Sequence, residues 1–146
     1  MKREEVITAL HNAQGAHEKW IGFAEILLYG KYLEEVQIPI KCTECIFGKW
    51  FYSNKEFIKN IPGFKNIEEL HEKFHEIYEE LYHDAQELYK PKGFLRKINA
   101  AKNQHNLVGK YLRLEQQSIE LIKKLNQVES ILSAMSDRLF EKNKQK

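Results

Sequence analysis

The sequence is poor in residues that interrupt helices. Its 146 residues include seven Gly and three Pro, so long stretches carry no turn signal. Strand-like alternation of useful length is missing, as are internal repeats and low-complexity tracts. Cysteine is scarce as well. Cys42 and Cys45 are the only two, three positions apart. They cannot staple distant segments, which excludes a secreted disulfide scaffold and makes a reducing cytoplasm the expected setting. No apolar run approaches the length of a membrane span. The charged, interrupted start "MKREEVITALHNAQ" does not read as a signal peptide. Neither sign of charge dominates: 23 basic residues against 21 acidic ones leave +2. That balance gives no broad field for nucleic acid or an anionic membrane, although the last residues "KNKQK" are basic. Neither nucleic-acid binding nor membrane insertion is expected.

What remains is material for helices. Hydrophobic residues make up 42% and charged residues 30%, a balance for a folded, soluble chain, and the length suits one domain over 1–146. The spacing predicts a first helix over roughly 3–29, where Val6, Leu10, Ala13, His17, Trp20, Ala24 and Leu27 line one face and Gly30 is a stop. Residues 31–42 form a connection containing Pro39. Thr43 is placed to cap a short second helix through "ECIFGKWFY", and "SNKEFIKNIPGFK" reads as a broken turn region with one more helical turn. A third helix is expected from Asn66, with Glu69 as a capping-box partner, to about Tyr89. Its stripe is Ile67, Leu70, Phe74, Ile77, Leu81, Ala85 and Leu88, widened by Tyr78 and Tyr82 on the side of His71 and His75, before Pro91 and Gly93 end it.

A long fourth helix is expected over about 94–139. Leu107, Tyr111, Leu114, Ser118, Leu121, Leu125, Val128, Leu132, Met135 and Leu139 step by four and three as a heptad seam. Its length predicts an overhanging apolar seam in need of a partner, hence a homodimer. The expected fold class is all-α, an antiparallel four-helix bundle with one short helix and a long C-terminal helix.

The stretch "HEKFH" at His71–His75 spells H-E-x-x-H, the zinc signature of many metallopeptidases. On a helix the two imidazoles project from one face and can share a divalent metal. His17 belongs to the inward series of the first helix, and Cys45 stands at the start of the short one. Together the four can supply three nitrogens and one sulfur to a tetrahedral zinc. Each residue also has a plain reading. A histidine on an apolar face is commonly a hydrogen-bonded core residue, and Trp20, Phe47, Trp50, Phe51 and Phe74 are commonly core. A C-x-x-C pair without a second pair is weak evidence for a zinc ribbon, and a thioredoxin-like reading needs a βαβ context that is missing. His11, His83 and His105 read as structural or surface residues.

In combination, "HEKW" at His17–Trp20, "CIFGKW" at Cys45–Trp50 and "HEKFH" resemble the three motifs of the chemoreceptor zinc-binding (CZB) domain family. The motifs span 17–75, and "CIFGKW" is the most specific of them. The resemblance implies His17, Cys45, His71 and His75 as zinc ligands. It further implies a bacterial regulatory domain that senses zinc, or hypochlorous acid through its zinc-bound cysteine, in chemotaxis or cyclic-di-GMP signalling. A signalling output domain, in cis or in trans, is the implied partner. Within these residues there is neither a chemoreceptor signalling hairpin nor a cyclase domain, so a freestanding protein and an excised piece are both open. Cys42 lies outside the motif and reads either as a bystander or as a thiol that traps oxidised Cys45.

A peptidase would use Glu72 as general base on a zinc-bound water and leave one coordination position open. The extended metzincin pattern asks for Gly at position 78 and His at position 81, where this chain has Tyr78 and Leu81. A later Glu such as Glu87 or Glu115 remains in principle, but His17 and Cys45 would fill the site and no sheet is expected to hold an extended substrate. The expected role is therefore not enzymatic, and Glu72 is expected to face solvent or pair with a neighbouring Lys. The alternative is a bundle whose zinc is structural and whose purpose is dimerisation.

Overall fold

The structure is a computed structural model that describes residues 1–28, 40–89 and 94–141, without the side chains of 89–104, 139 and 141. Six helices occur among the described residues: α1 (Arg3–Leu28), α2 (Ile46–Ser53), α3 (Lys55–Ile58), α4 (Phe64–Tyr89), α5 (Phe94–Ala134) and α6 (Arg138–Glu141). The all-α bundle is as expected, and no described residue forms a strand. The expected stop at Gly30, most of the 31–42 connection, and Pro91 and Gly93 lie outside the described residues.

Three long helices make the frame. Helix α5 runs antiparallel to α4, because Asp84 meets Lys110 while the Leu70 carbonyl accepts from Gln117 further along. It also runs antiparallel to α1, with His11 on Glu129 at 2.7 Å and Arg3 on Asp137 at 2.7 Å. Helices α1 and α4 therefore run parallel, and His17 beside His71 and Trp20 beside Phe74 follow that direction. The short pair α2–α3 fills the fourth side.

The apolar stripes become the core. All seven inward residues of α1 are buried. On α4, Ile67, Phe74, Ile77, Tyr78, Leu81, Tyr82, Ala85 and Leu88 are buried and Leu70 is half-buried. The seam of α5 behaves differently from the expectation of an overhang. From Leu107 to Leu132 its apolar residues are buried against the chain's own α1 and α4, apart from half-buried Tyr111. Over that length the seam is the core of one bundle. The side chain of Leu139 lies outside the described residues.

Three helix ends depart from the sequence reading. Cys45, not Thr43, caps α2, because its sulfur accepts the Gly48 N–H at 3.1 Å. Helix α4 begins at Phe64 rather than Asn66. Gly63 adopts φ 94°, a conformation cheap only for glycine, and its carbonyl accepts the first helical N–H from Ile67 at 3.1 Å. Asn66 is thus already inside the helix, and no capping box with Glu69 forms. Helix α5 stops at Ala134, short of Leu139. Arg3 takes the Met135 carbonyl, pairs with Asp137 and lies over the Phe140 ring, so the chain turns there into α6. The guanidinium thus satisfies a carbonyl that has no partner within the helix.

Candidate metal centre

Four side chains from three segments converge between α1, α2 and α4. His17, Cys45, His71 and His75 each offer one ligand atom, and these atoms lie within 4.8 Å of one another. All four side chains are buried, between 0 and 3% exposed. The helical register explains the meeting. His17 follows Ala13 by one turn on the inward face of α1. His71 and His75 are one turn apart on α4. Cys45 is held at the start of α2, where Phe47 and Phe51 anchor the helix in the core.

The hydrogen bonds prepare the donors for a cation. His17 Nδ1–H donates to the Ala13 carbonyl at 2.6 Å, and His75 Nδ1–H donates to the Ile40 carbonyl at 2.8 Å. With the proton fixed on Nδ1, each Nε2 presents a lone pair to the cluster. His17 Nε2 is buried with no hydrogen-bond partner, a costly arrangement unless an ion satisfies it. His71 Nε2 lies 3.1 Å from His75 Nε2 and 3.3 Å from Cys45 Sγ. Four-coordinate zinc with bonds of about 2.0–2.3 Å keeps its ligand atoms roughly 3.3–3.8 Å apart. The donor set and its spacing fit that ion.

Aromatic rings pack around the donors. Trp20 stacks on Phe74 and sets its edge against His17 at 4.6 Å and His75 at 5.1 Å between ring centres. Phe47 meets His71 at 5.0 Å, and Phe74 meets His17 at 5.0 Å. Residues that sequence reading treats as plain core are therefore also the wall of the site.

Burial sets the protonation. It lowers His17 to about 4, against the Ala13 carbonyl and with help from His75. Burial, then the neighbouring His17 and His75, lowers His71 to about 2. Burial lowers His75 to about 4 against the Ile40 carbonyl. Burial pushes Cys45 up to about 11, although the Gly48 and Phe47 amides oppose it. A helix N-terminus is expected to favour a thiolate; here desolvation outweighs it. Without a metal the site holds three neutral imidazoles and a thiol.

A pH dependence of the metal-free protein follows. The folded histidines sit below their ordinary value of 6.5, so below that value the unfolded chain binds more protons. Stability is complete above pH 6.5 and falls as the pH drops towards 4. Cys45 acts in the opposite sense, because its folded value lies above the ordinary 9.0: its contribution is complete below pH 9 and is lost as the pH rises towards 11. Urea unfolding in chelator should give a plateau between these limits. A midpoint unchanged from pH 7 to pH 5 would contradict the neutral buried histidines.

The other candidates lie apart. Glu72 is exposed, and its partner is the Tyr52 hydroxyl, which donates to Oε1 at 3.2 Å, rather than a Lys. Cys42 is half-buried, and its carbonyl accepts from the Cys45 thiol at 3.5 Å. Burial pushes the Cys42 thiol up, against a hydrogen bond with the Tyr52 hydroxyl. Both thiols are free. His11 pairs with Glu129, His83 lies 3.8 Å from Glu79, and His105 is exposed.

Sequence reading missed three backbone contributors: the Ala13 and Ile40 carbonyls and the Gly48 amide. Ala13 was within reach, being one turn before His17. Gly48 shows only as a glycine after Cys45. Nothing in the sequence points to Ile40, which lies 35 residues from its histidine.

No curated protein and no solved structure matches the chain. Residues 17–82 match the sequence model of a family described as the chemoreceptor zinc-binding domain, CZB. That match begins at His17 and encloses Cys45, His71 and His75, so over these residues the chain is similar to the zinc-binding domain of that family.

Proposed function

We propose that this domain is a regulatory switch, not an enzyme, with His17, Cys45, His71 and His75 as its zinc ligands. It answers zinc availability or oxidation of Cys45, and its output is chemotaxis or cyclic-di-GMP signalling through a domain in cis or a protein in trans. The carrying observation is that Cys45 belongs both to the donor cluster and to the cap of α2. Bound zinc would hold this sulfur as a thiolate. Hypochlorous acid transfers its oxygen to the sulfur, forming an S–O bond while chlorine leaves as chloride. The resulting sulfenic acid is a poorer donor and a poorer acceptor for the Gly48 N–H. One event thus weakens both the metal attachment and the start of α2, a local order change suited to signalling.

The Glu72–Tyr52 hydrogen bond supports this reading over a peptidase, because it engages the would-be general base on the surface. Cys42, three residues from Cys45, is the thiol proposed to trap the oxidised sulfur as a disulfide. A dimer is also proposed. Val108, Leu112 and Ile119 are exposed on the outer side of α5, and that stripe equally favours the reading of a structural dimerisation bundle.

Metal analysis and hydrogen exchange test the proposal together. The purified protein should carry about one zinc, Cys45→Ala distinctly less, and one equivalent of hypochlorous acid should reduce amide protection in α2. Mass spectrometry of the same sample should find Cys42 joined to Cys45. A metal-free wild type would undo the ligand assignment. Full zinc retention with unchanged α2 protection after oxidation would leave the structural bundle as the answer.

A further inference from the structure

Helices α1 and α2 do not close on each other beside the metal centre. Between them lies a groove of about 550 Å³. One wall is α1, where Ala9, Ala13 and Ala16 recur at helical spacing and leave the space open. The other wall is the first turns of α2, with Trp50 lining the groove and Ile46 85% exposed. His17 and Cys45 both line this groove, although Cys45 is otherwise only 1% exposed. Lys19 is the one charged residue of the lining, and its ammonium lies over the Phe23 ring, 5.8 Å from the centre.

We propose that this groove is the channel by which small uncharged oxidants reach the Cys45 sulfur, and that Ala9, Ala13 and Ala16 set its bore. The proposal rests on the reading of Cys45 as the reactive residue. A mostly apolar wall is costly for a hydrated anion to enter, and the alanines leave room beside a Cys45 that is only 1% exposed, within reach of a small reagent. Hydrogen peroxide has the required chemistry. The Cys45 sulfur attacks one oxygen, the O–O bond breaks, and an S–OH bond forms. With the sulfur held as a thiolate, the departing hydroxide takes its proton from solvent and leaves as water, so sulfur is oxidised and peroxide reduced.

The zinc-loaded full chain tests this in a Cys42→Ser background, so that one thiol reports. Hydrogen peroxide and neutral methyl methanethiolsulfonate serve as small probes, and glutathione disulfide as a bulky charged one. With methyl methanethiolsulfonate an S–S bond forms at Cys45 and methanesulfinate leaves with the electron pair. Filling the groove in Ala16→Leu should slow both small probes roughly tenfold, because access limits the exchange rate. Helicity and zinc content should stay at the wild-type level, and glutathione disulfide should react far more slowly than either small probe. Ala9→Leu, two turns from His17, should have the same effect and decides the matter if Ala16→Leu loads zinc poorly. Unchanged rates in the filled variants, with zinc still released on oxidation, would overturn the channel and leave the sensing role intact. A wild-type Cys45 inert to peroxide would sink both.

Discussion

Chelating the metal, or replacing His71 with Ala, should lower the unfolding temperature more than any other change at this site. His71 is the contact point of the cluster, next to both Cys45 Sγ and His75 Nε2. The unfolded chain has no preformed site, so zinc binding adds to folding. Structural zinc is worth about 10–16 kcal/mol in small zinc-finger peptides, comparable with the about 5–15 kcal/mol that stabilises an ordinary domain. Even about 5 kcal/mol of lost binding would shift the midpoint by about 15 °C for a chain of this size. The histidines are already neutral and Cys45 is a thiol, so loading near pH 7 should release about one proton per zinc. Calorimetry in buffers of different ionisation enthalpy measures that number. His105→Ala, on an exposed residue, is the control. Equal melting with and without chelator would show that the cluster holds no stabilising ion.

Gly48→Ala should weaken zinc binding roughly 10–100-fold, the range for residues that orient metal ligands, and destabilise the bundle by about 1–3 kcal/mol through overpacking. A Cβ at this position would fall 1.7 Å from the Cys42 carbonyl oxygen and 2.8 Å from its carbon. Both are backbone atoms of the turn that delivers Cys45. Relief of the clash must move that turn, and the Gly48 amide that donates to the Cys45 sulfur moves with it. The sign is the test. In an ordinary helix interior, Gly to Ala stabilises by about 1 kcal/mol. Gly15→Ala and Gly22→Ala on α1 should do so, because an added Cβ at either meets nothing within 4 Å. If Gly48→Ala behaved as they do, the close approach would have no energetic weight.

The reach of the sequence can be judged from the same residues. Side chains on long helices were legible, because a period of 3.6 states which residues face inward. That is why His17, His71 and His75 could be placed on inward faces, and why the α1 stripe matches the structure residue for residue. Helix ends were less legible. The start of α4 depends on Gly63 lying beside Val128, whose Cγ2 would be 2.7 Å from an added Cβ. The end of α5 depends on Arg3, more than a hundred residues earlier. Local chemistry at Asn66 or Leu139 carries no trace of either contact. The burial of the α5 seam was hidden for a related reason. A heptad pattern states that a face is covered but not by what, and here α1 and α4 of the same chain cover it.

The packing of Trp20 makes the domain its own optical instrument. The chain has two tryptophans, and only Trp20 sets its ring against two of the clustered histidines. Its indole emission depends on what those imidazoles are doing, so metal loading and loss register as a change in fluorescence without any attached dye. Trp50, stacked on Phe47 within α2, sees the other side of the same site. A paired record of the two, separated by Trp50→Phe, would time the departure of the metal against the loosening of the helix.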